Sequence, residues 1–313
     1  MERMGMDWNA KRFYQELDET YSKGLAQVER FLLESRAAFR EAENASGLVA
    51  VHNELGSFYR GTSRYGESLG AFQAAGEEIA RRLGADSVEY ATLLNNMAGT
   101  YRLMGRPAEA AELFRQAIDI YRGQNAENSY AFVSVLNNIS LACQELGRLE
   151  EAAANLERAL AMLRRMPGHL HEEAVTYHNL TALYHRMGRK EDARRCLEMA
   201  LAAFEDCGGE EDAHYAAALN SLAGFLYGDG DYERAVETYQ KAAVYTKRWF
   251  GENVEYAVTF QNMSWACQAM GKPEEARRCL EEAERVLSAL FGPEHERTQA
   301  VRDALRRLEG AAS

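Results

Sequence analysis

The sequence predicts an all-α fold, a solenoid of stacked helix hairpins, on three observations. Small residues recur in three columns, a turn glycine separates the first two, and large apolar residues fill a helical stripe between them. The first column is Gly56, Ala98, Ser140, Thr181, Ala223 and Ser264. The second is Ser68, Ala110, Ala152, Ala193, Ala235 and Ala276, and the third Ala75, Ala117, Ala159, Ala200, Ala242 and Ala283. Successive members lie 41 or 42 residues apart, so six copies of one unit fill the chain from about Leu48 to His295. Small side chains mark close helix crossings, because axes about 8 to 10 Å apart leave no room for long ones.

Residues 1–47 read as an N-terminal helical cap. Trp8 to Glu43 is expected to be helical with a break near Lys23-Gly24, a degenerate helix pair whose Phe13, Leu17, Leu25, Val28 and Phe31 cover the first repeat. Residues 48–295 hold the six repeats. In each, a first helix ends at a turn glycine (Gly105, Gly147, Gly188, Gly230, Gly271), replaced in the first copy by Ser63. Glycine ends a helix cheaply in the left-handed conformation. Pro107 and Pro273 follow two residues after their glycines, where the next helix begins and a missing N–H costs little. Leu94, Met97 and Tyr101, then Phe114 and Ile118, mark the buried stripe of the second copy at i, i+3, i+7 spacing. Leu136, Ile139 and Cys143 repeat it, as do Tyr177, Leu180 and Tyr184; Leu219, Leu222 and Leu226; and Phe260, Met263 and Cys267. Short polar loops at Gly123 to Ser129, Pro167 to His171 and Cys207 to Asp212 fall at repeat junctions. Residues 296–313 give a C-terminal capping helix, Thr298 to Leu308, and a tail. A stacked array needs such covers because an end repeat otherwise exposes its core face.

The pattern resembles the tetratricopeptide repeat, whose small and aromatic positions coincide with these columns, although the usual repeat is about 34 residues. The longer unit, the sequences Leu94-Asn95-Asn96-Met97-Ala98 and Leu136-Asn137-Asn138-Ile139-Ser140, and Phe291-Gly292-Pro293-Glu294-His295 after the last repeat are similar to the kinesin light chain branch. The resemblance spans about Leu48 to Leu308. It implies a right-handed α-solenoid of tetratricopeptide helix hairpins.

Composition narrows the partners. Net charge is −12, from 48 acidic and 36 basic residues, and the pairs Arg81-Arg82, Arg164-Arg165, Arg194-Arg195, Arg277-Arg278 and Arg306-Arg307 are scattered among glutamates. Such a field repels phosphate backbones, so no nucleic-acid partner is expected. No stretch approaches the roughly 20 apolar residues of a membrane span, and Met1 to Asp7 does not read as a signal peptide, which predicts a cytoplasmic protein without a membrane partner. Five cysteines without CxxC spacing suggest neither a disulfide framework nor a zinc site.

Function is expected on the face of each first helix opposite the buried stripe, which a 100° step per residue places at four positions per repeat. These are Ala50, Glu54, Ser57 and Gly61; Thr92, Asn96, Gly99 and Leu103; Ser134, Asn138, Leu141 and Glu145; Val175, Asn179, Ala182 and Arg186; Ala217, Ser221, Gly224 and Gly228; and Val258, Asn262, Trp265 and Ala269. Asparagine recurs at the groove centre as Asn96, Asn138, Asn179 and Asn262, with Glu54 and Ser221 in the other two copies. A flanking column carries Asn53, Asn95, Asn137, His178, Asn220 and Gln261, with His185 further along the same stripe as His178. Asparagine is a mediocre helix former, so its recurrence needs a reason. A carboxamide offers a donor and an acceptor together, matching one peptide group of an extended ligand. The alternative is that these amides bond to adjacent repeats and stiffen the array. Both readings stand for the centre column; the flanking column is read as internal bonding. The resemblance to kinesin light chains implies that first-helix asparagines face a peptide in the concave channel. Charge is scarce at these positions, so the expected ligand is a peptide or protein segment with apolar anchors and Trp265 as the aromatic contact. Gly99, Gly224 and Gly228 suggest close approach by a ligand or by a neighbouring helix.

His171, His178 and His185 recur every seven residues, about 10.5 Å along a helix, which is longer than the spacing of helical zinc pairs, so no metal is expected. No phosphate-binding glycine loop, HExxH or GxSxG occurs, and paired acids such as Glu77-Glu78 or Glu210-Glu211 read as surface charge; neither an enzyme nor a cofactor is predicted. The leading function is a protein-interaction scaffold. Its competitors are a peptide-sensing signalling regulator, an accessory or assembly subunit of an enzyme complex, and a homo-oligomer whose groove is filled by a second copy. The first 47 residues read as too few for a separate DNA-binding domain.

Overall fold

In the computed structural model of the chain, which describes residues 9–209 and 212–311, every regular element among those residues is a helix. Met1 to Trp8 and the Glu210-Glu211 pair lie outside the described residues. The chain forms two compact units, Met1–Met162 and Leu163–Ser313. The first contains the hairpins α1 (Ala10–Tyr21) with α2 (Leu25–Glu41), α3 (Ala45–Gly61) with α4 (Tyr65–Leu83), α5 (Val88–Leu103) with α6 (Pro107–Gly123), and α7 (Tyr130–Glu145) with α8 (Leu149–Leu163), whose last residue opens the second unit. The second continues with α9 (Leu170–Arg186) and α10 (Lys190–Asp206), α11 (Ala213–Gly228) and α12 (Tyr232–Phe250), α13 (Val254–Ala269) and α14 (Pro273–Phe291), and the unpaired α15 (Glu296–Ala311).

Each hairpin turn is built locally. The turn glycines from Gly105 to Gly271 have φ between 70° and 83°, and Ser63 adopts φ 60° in the equivalent place despite its Cβ. The following N–H then reaches back five residues, as from Arg106 to the Tyr101 carbonyl (3.0 Å) and from Lys272 to that of Cys267 (2.9 Å), satisfying carbonyls the helix end leaves unpaired. The same arginine position stacks on the preceding tyrosine: Arg64 lies 4.3 Å from the Tyr59 ring centre, Arg106 4.7 Å from Tyr101, and Arg189 4.2 Å from Tyr184. Most first helices start from a side-chain cap. Asn44, Ser87, Ser129, Asp212 and Asn253 each accept from a backbone N–H two or three residues on.

Every alanine of the second and third small-residue columns is fully buried, which lets paired helices approach. Ser68 uses that proximity, donating to the Gly56 carbonyl at 2.8 Å. In the N-terminal hairpin Phe13, Leu17, Val28, Leu32 and Phe39 are buried, and Phe31 stacks on Phe13 at 5.7 Å. Leu25 departs from its expected covering role: as the first residue of α2 it precedes the packed turns and is exposed. His171, expected in a loop, lies inside α9, whose first turn carries Glu172 and Glu173, favourable against the helix dipole.

Candidate functional site

In the first unit the outward positions of α3, α5 and α7 are exposed or half-buried, while Val51, Leu55, Leu93, Leu94, Ala98, Leu136 and Ile139 point into the core. Alternation at helical pitch therefore leaves a polar face on each first helix. The asparagines on it are not equivalent. Asn138 Nδ2 donates to Asn95 Oδ1 of the preceding repeat at 3.0 Å, and Asn137 Nδ2 donates back to the Val133 carbonyl at 3.2 Å. The Asn96 carboxamide makes no hydrogen bond among the described residues, although its backbone carbonyl accepts from Arg60 Nη1 at 3.3 Å. Asn53 Oδ1 is buried without a donor. Leu103 is exposed and Leu141 half-buried on the same face.

Glu54 sits half-buried on α3, and burial, then the charge of Asp18, raises its carboxyl pKa. Tyr14 and Tyr21 of α1 have their phenols pushed up by burial and then by Glu54 itself, so α1 brings its polar side to this part of the face.

Two charged residues here were missed by the sequence reading, which counted only four outward positions per repeat. Arg60 is half-buried with no acidic group within 4.0 Å among the described residues; its guanidinium lies 6.0 Å from the Phe72 ring centre, and desolvation, then Arg102, lowers its pKa. Arg102, 42 residues on, pairs with Glu145 at 2.7 Å. Their repeat spacing was the available signal. The same group lies against Gly99: a Cβ there would lie 3.1 Å from Arg60 Nη1, a close approach that a small shift of the guanidinium would relieve.

In the second unit the Asn179 and Asn262 carboxamides make no hydrogen bond among the described residues, and Ser221 Oγ turns back to the Ala217 carbonyl at 3.1 Å. Trp265 is 55% exposed on α13, Arg186 is exposed at the end of α9, and Gln261 is half-buried. Buried acceptors without donors recur in the flanking column, at His178 Nδ1 and Asn220 Oδ1. Burial, then the nearby His214, holds the His178 pKa down to about 4, which keeps its ring neutral near pH 7. No atom would come within 4 Å of a Cβ at Gly228, and only the Tyr239 hydroxyl, at 3.8 Å, would meet one at Gly224.

The three α9 histidines have different nearest contacts, although Asp212 acts on both His171 and His178. His171 Nε2 lies 2.7 Å from Asp212 Oδ2, the His178 ring 6.1 Å from that of His214, and the His185 ring 5.7 Å from that of Phe225. Among the described residues no group of three or more His, Cys, Asp or Glu side chains could hold a metal ion, and no helix is long and apolar enough to cross a membrane.

Stacked hairpins whose second helices pack beneath and whose first helices present polar side chains define a helical-repeat protein. The chain belongs to the tetratricopeptide repeat family, whose model matches residues 47–123, 132–206 and 214–289. Folds of this family are typical of protein–protein interaction scaffolds. Tetratricopeptide repeat protein 23 of Bos taurus is 25% identical over 160 residues, which cover 50% of this chain and 36% of that protein. The match thus spans little more than a third of that relative's length. Among solved structures, the kinesin light chain nearly identical TPR-like repeats from Podosopora anserina align at 21% identity over 66% of this chain and 98% of theirs, with a TM-score of 0.55. A Rap protein complexed with competence and sporulation factor aligns at 16% identity over 98% of this chain and 88% of that one, with a TM-score of 0.61. A signal transduction ATPase with numerous domains protein with a tetratricopeptide repeat sensor, from Pyrococcus horikoshii, gives a TM-score of 0.74 at 15% identity, over 94% of this chain and 42% of that one. These likenesses concern the fold.

Proposed function

We propose that the protein is a cytoplasmic interaction scaffold that binds an extended peptide or a segment of a partner protein along the first-helix faces of its repeats. The observation that carries this reading is the set of unspent carboxamides, Asn96, Asn179 and Asn262, each half-buried on a first helix beside small or apolar outward neighbours. A solvent-accessible amide that makes no bond within the chain is free to exchange water for a ligand peptide group through both its donor and its acceptor. Trp265 supplies an exposed aromatic surface at the same face. That a solved Rap protein of similar fold is complexed with competence and sporulation factor supports a ligand-carrying role for this kind of stack.

Affinity capture with the wild type beside an Asn96→Ala, Asn179→Ala, Asn262→Ala triple variant tests the proposal. Partners held by the wild type are expected to be lost from the variant. Equal retention would remove the amides from the binding element, and the wild type capturing only its own chain would favour a homo-oligomer.

A further inference from the structure

Among the described residues one side-chain bond links the flanking and centre columns. Asn138 Nδ2 donates to Asn95 Oδ1 across 43 residues, closing a rung between neighbouring first helices α7 and α5. Within the two units the same register recurs three times with the bond unmade; the remaining pair of the columns, Asn137 and Asn179, falls in different units. Asn96 follows Asn53 by 43 residues, Ser221 follows His178 by 43, and Asn262 follows Asn220 by 42 where the repeat is one residue shorter. In all three the flanking acceptor, Asn53 Oδ1, His178 Nδ1 or Asn220 Oδ1, is buried without a donor. In all three the centre donor is elsewhere: Asn96 and Asn262 are free, and the Ser221 hydroxyl is turned onto its own helix.

A buried acceptor without a donor is rare and costly, and a neighbouring side chain that can turn towards it is one way to satisfy it. The repeat supplies one candidate in each case. We propose that Asn96 and Asn262 are two-position amides: turned inward they latch onto Asn53 and Asn220 as Asn138 latches onto Asn95, and turned outward they are free for a ligand. Asn53 and Asn220 are then latch residues that set how readily the face presents its amides, while Asn95 keeps Asn138 shut. The Arg60 bond to the Asn96 carbonyl fixes the backbone and leaves the Asn96 side chain to turn alone. Neutral His178 can accept through Nδ1, which extends the device to Ser221.

The bearing of the latch on ligand capture rests on the function proposed above, but the latch itself is tested without a ligand, so the two fail separately. Side-chain amide hydrogen exchange is measured by NMR on the asparagine-labelled full chain. Asn95→Ala is expected to speed exchange at the Asn138 carboxamide, and Asn53→Ala and Asn220→Ala to speed it at Asn96 and Asn262, each by about 2- to 10-fold, the range set by the net worth of one hydrogen bond. Alanine favours helix at all three positions, and the Asn53 and Asn220 arms lie in different units, so a folding defect in one leaves the other readable. Unchanged exchange at Asn96 and Asn262 while Asn138 responds would show that the acceptors are served by something other than these amides and would overturn the latch. An unresponsive Asn138 would overturn it too, by removing the closed rung on which it is patterned.

Discussion

Gly56→Ala isolates the close helix crossing inferred from the small-residue columns. The glycine lies within α3, and a Cβ added to it would meet Phe72 Cε1 at 2.5 Å, Cδ1 at 2.6 Å and Cζ at 2.7 Å. Ordinary carbon–carbon contact is about 3.5–4.0 Å, so the ring or the helix must move by about 1 Å. Phe72 is fully buried, and the Ser68 bond to the Gly56 carbonyl ties the two helices together at the same point. Overpacking of this kind costs about 1–3 kcal/mol. Against it stands the helix preference of alanine over glycine, about 1 kcal/mol. Gly70→Ala in the partner helix α4 collects that preference without the clash, because the site is exposed with no atom within 4 Å of the new Cβ. Propensity cancels between the two variants, so Gly56→Ala should be less stable than Gly70→Ala by about 1–3 kcal/mol. Urea denaturation followed by far-ultraviolet circular dichroism, with wild type alongside, measures the difference. Equal midpoints for the two variants would refute the crossing as described.

Three further outcomes follow from the same geometry. Ser63→Gly should stabilise the chain by about 0.5–1 kcal/mol, because Ser63 holds φ 60°; a lower denaturation midpoint would contradict the turn. His178 is neutral in the folded protein, with a pKa of about 4 against an unfolded value near 6.5, so the unfolded chain binds its proton first. Stability is therefore expected to fall as pH drops from 6.5 towards 4, and His178→Gln should flatten that limb in pH-resolved denaturation. Added zinc should leave the melting temperature unchanged, since no group of three or more His, Cys, Asp or Glu side chains among the described residues could hold the ion; a rise of several degrees in a thermal scan would overturn that reading.

The hairpins were legible because their signals are local and repeated. A turn glycine, a proline at the start of the next helix and a column of alanines each report a single short-range constraint, and six copies turn weak hints into a register. Leu25 misled because a stripe assigned from spacing does not say where a neighbouring helix stops covering it. The site was less legible for a related reason. Helical angle gives the direction of a side chain from its axis, but whether the amide ends on a neighbour depends on the rotamer and on the adjacent repeat. Asn96 and Asn138 occupy one column and are indistinguishable in sequence, yet one is free and the other bonded to Asn95. Arg60 and Arg102 were passed over because long side chains reach a face from positions that point beside it.

The distribution of partnered and unpartnered charge separates the two kinds of helix face. On second helices, charge is largely spent nearby: Arg81 with Glu78, Arg277 with Glu274 and Glu281, and Arg285 with Glu282 and Glu252 form short-range pairs at the surface. Such exposed pairs contribute about 0–1 kcal/mol each, and their groups are already engaged. Two residues of α3 show the reverse: Glu54 and Arg60 are both half-buried, neither has an oppositely charged partner within 4.0 Å among the described residues, and desolvation leads the shift of each. Desolvating a charge without compensating it is unfavourable; Arg60 is compensated in part by the Asn96 carbonyl and the Phe72 ring, whereas Glu54 has no ionic partner among the described residues. A partner bound at this face would have to meet an acid and a base on the same helix. Net charge of the whole chain is a poor guide to such a partner, because the excess acid on second helices is laced with arginine while Glu54 and Arg60 have no ionic partner among the described residues.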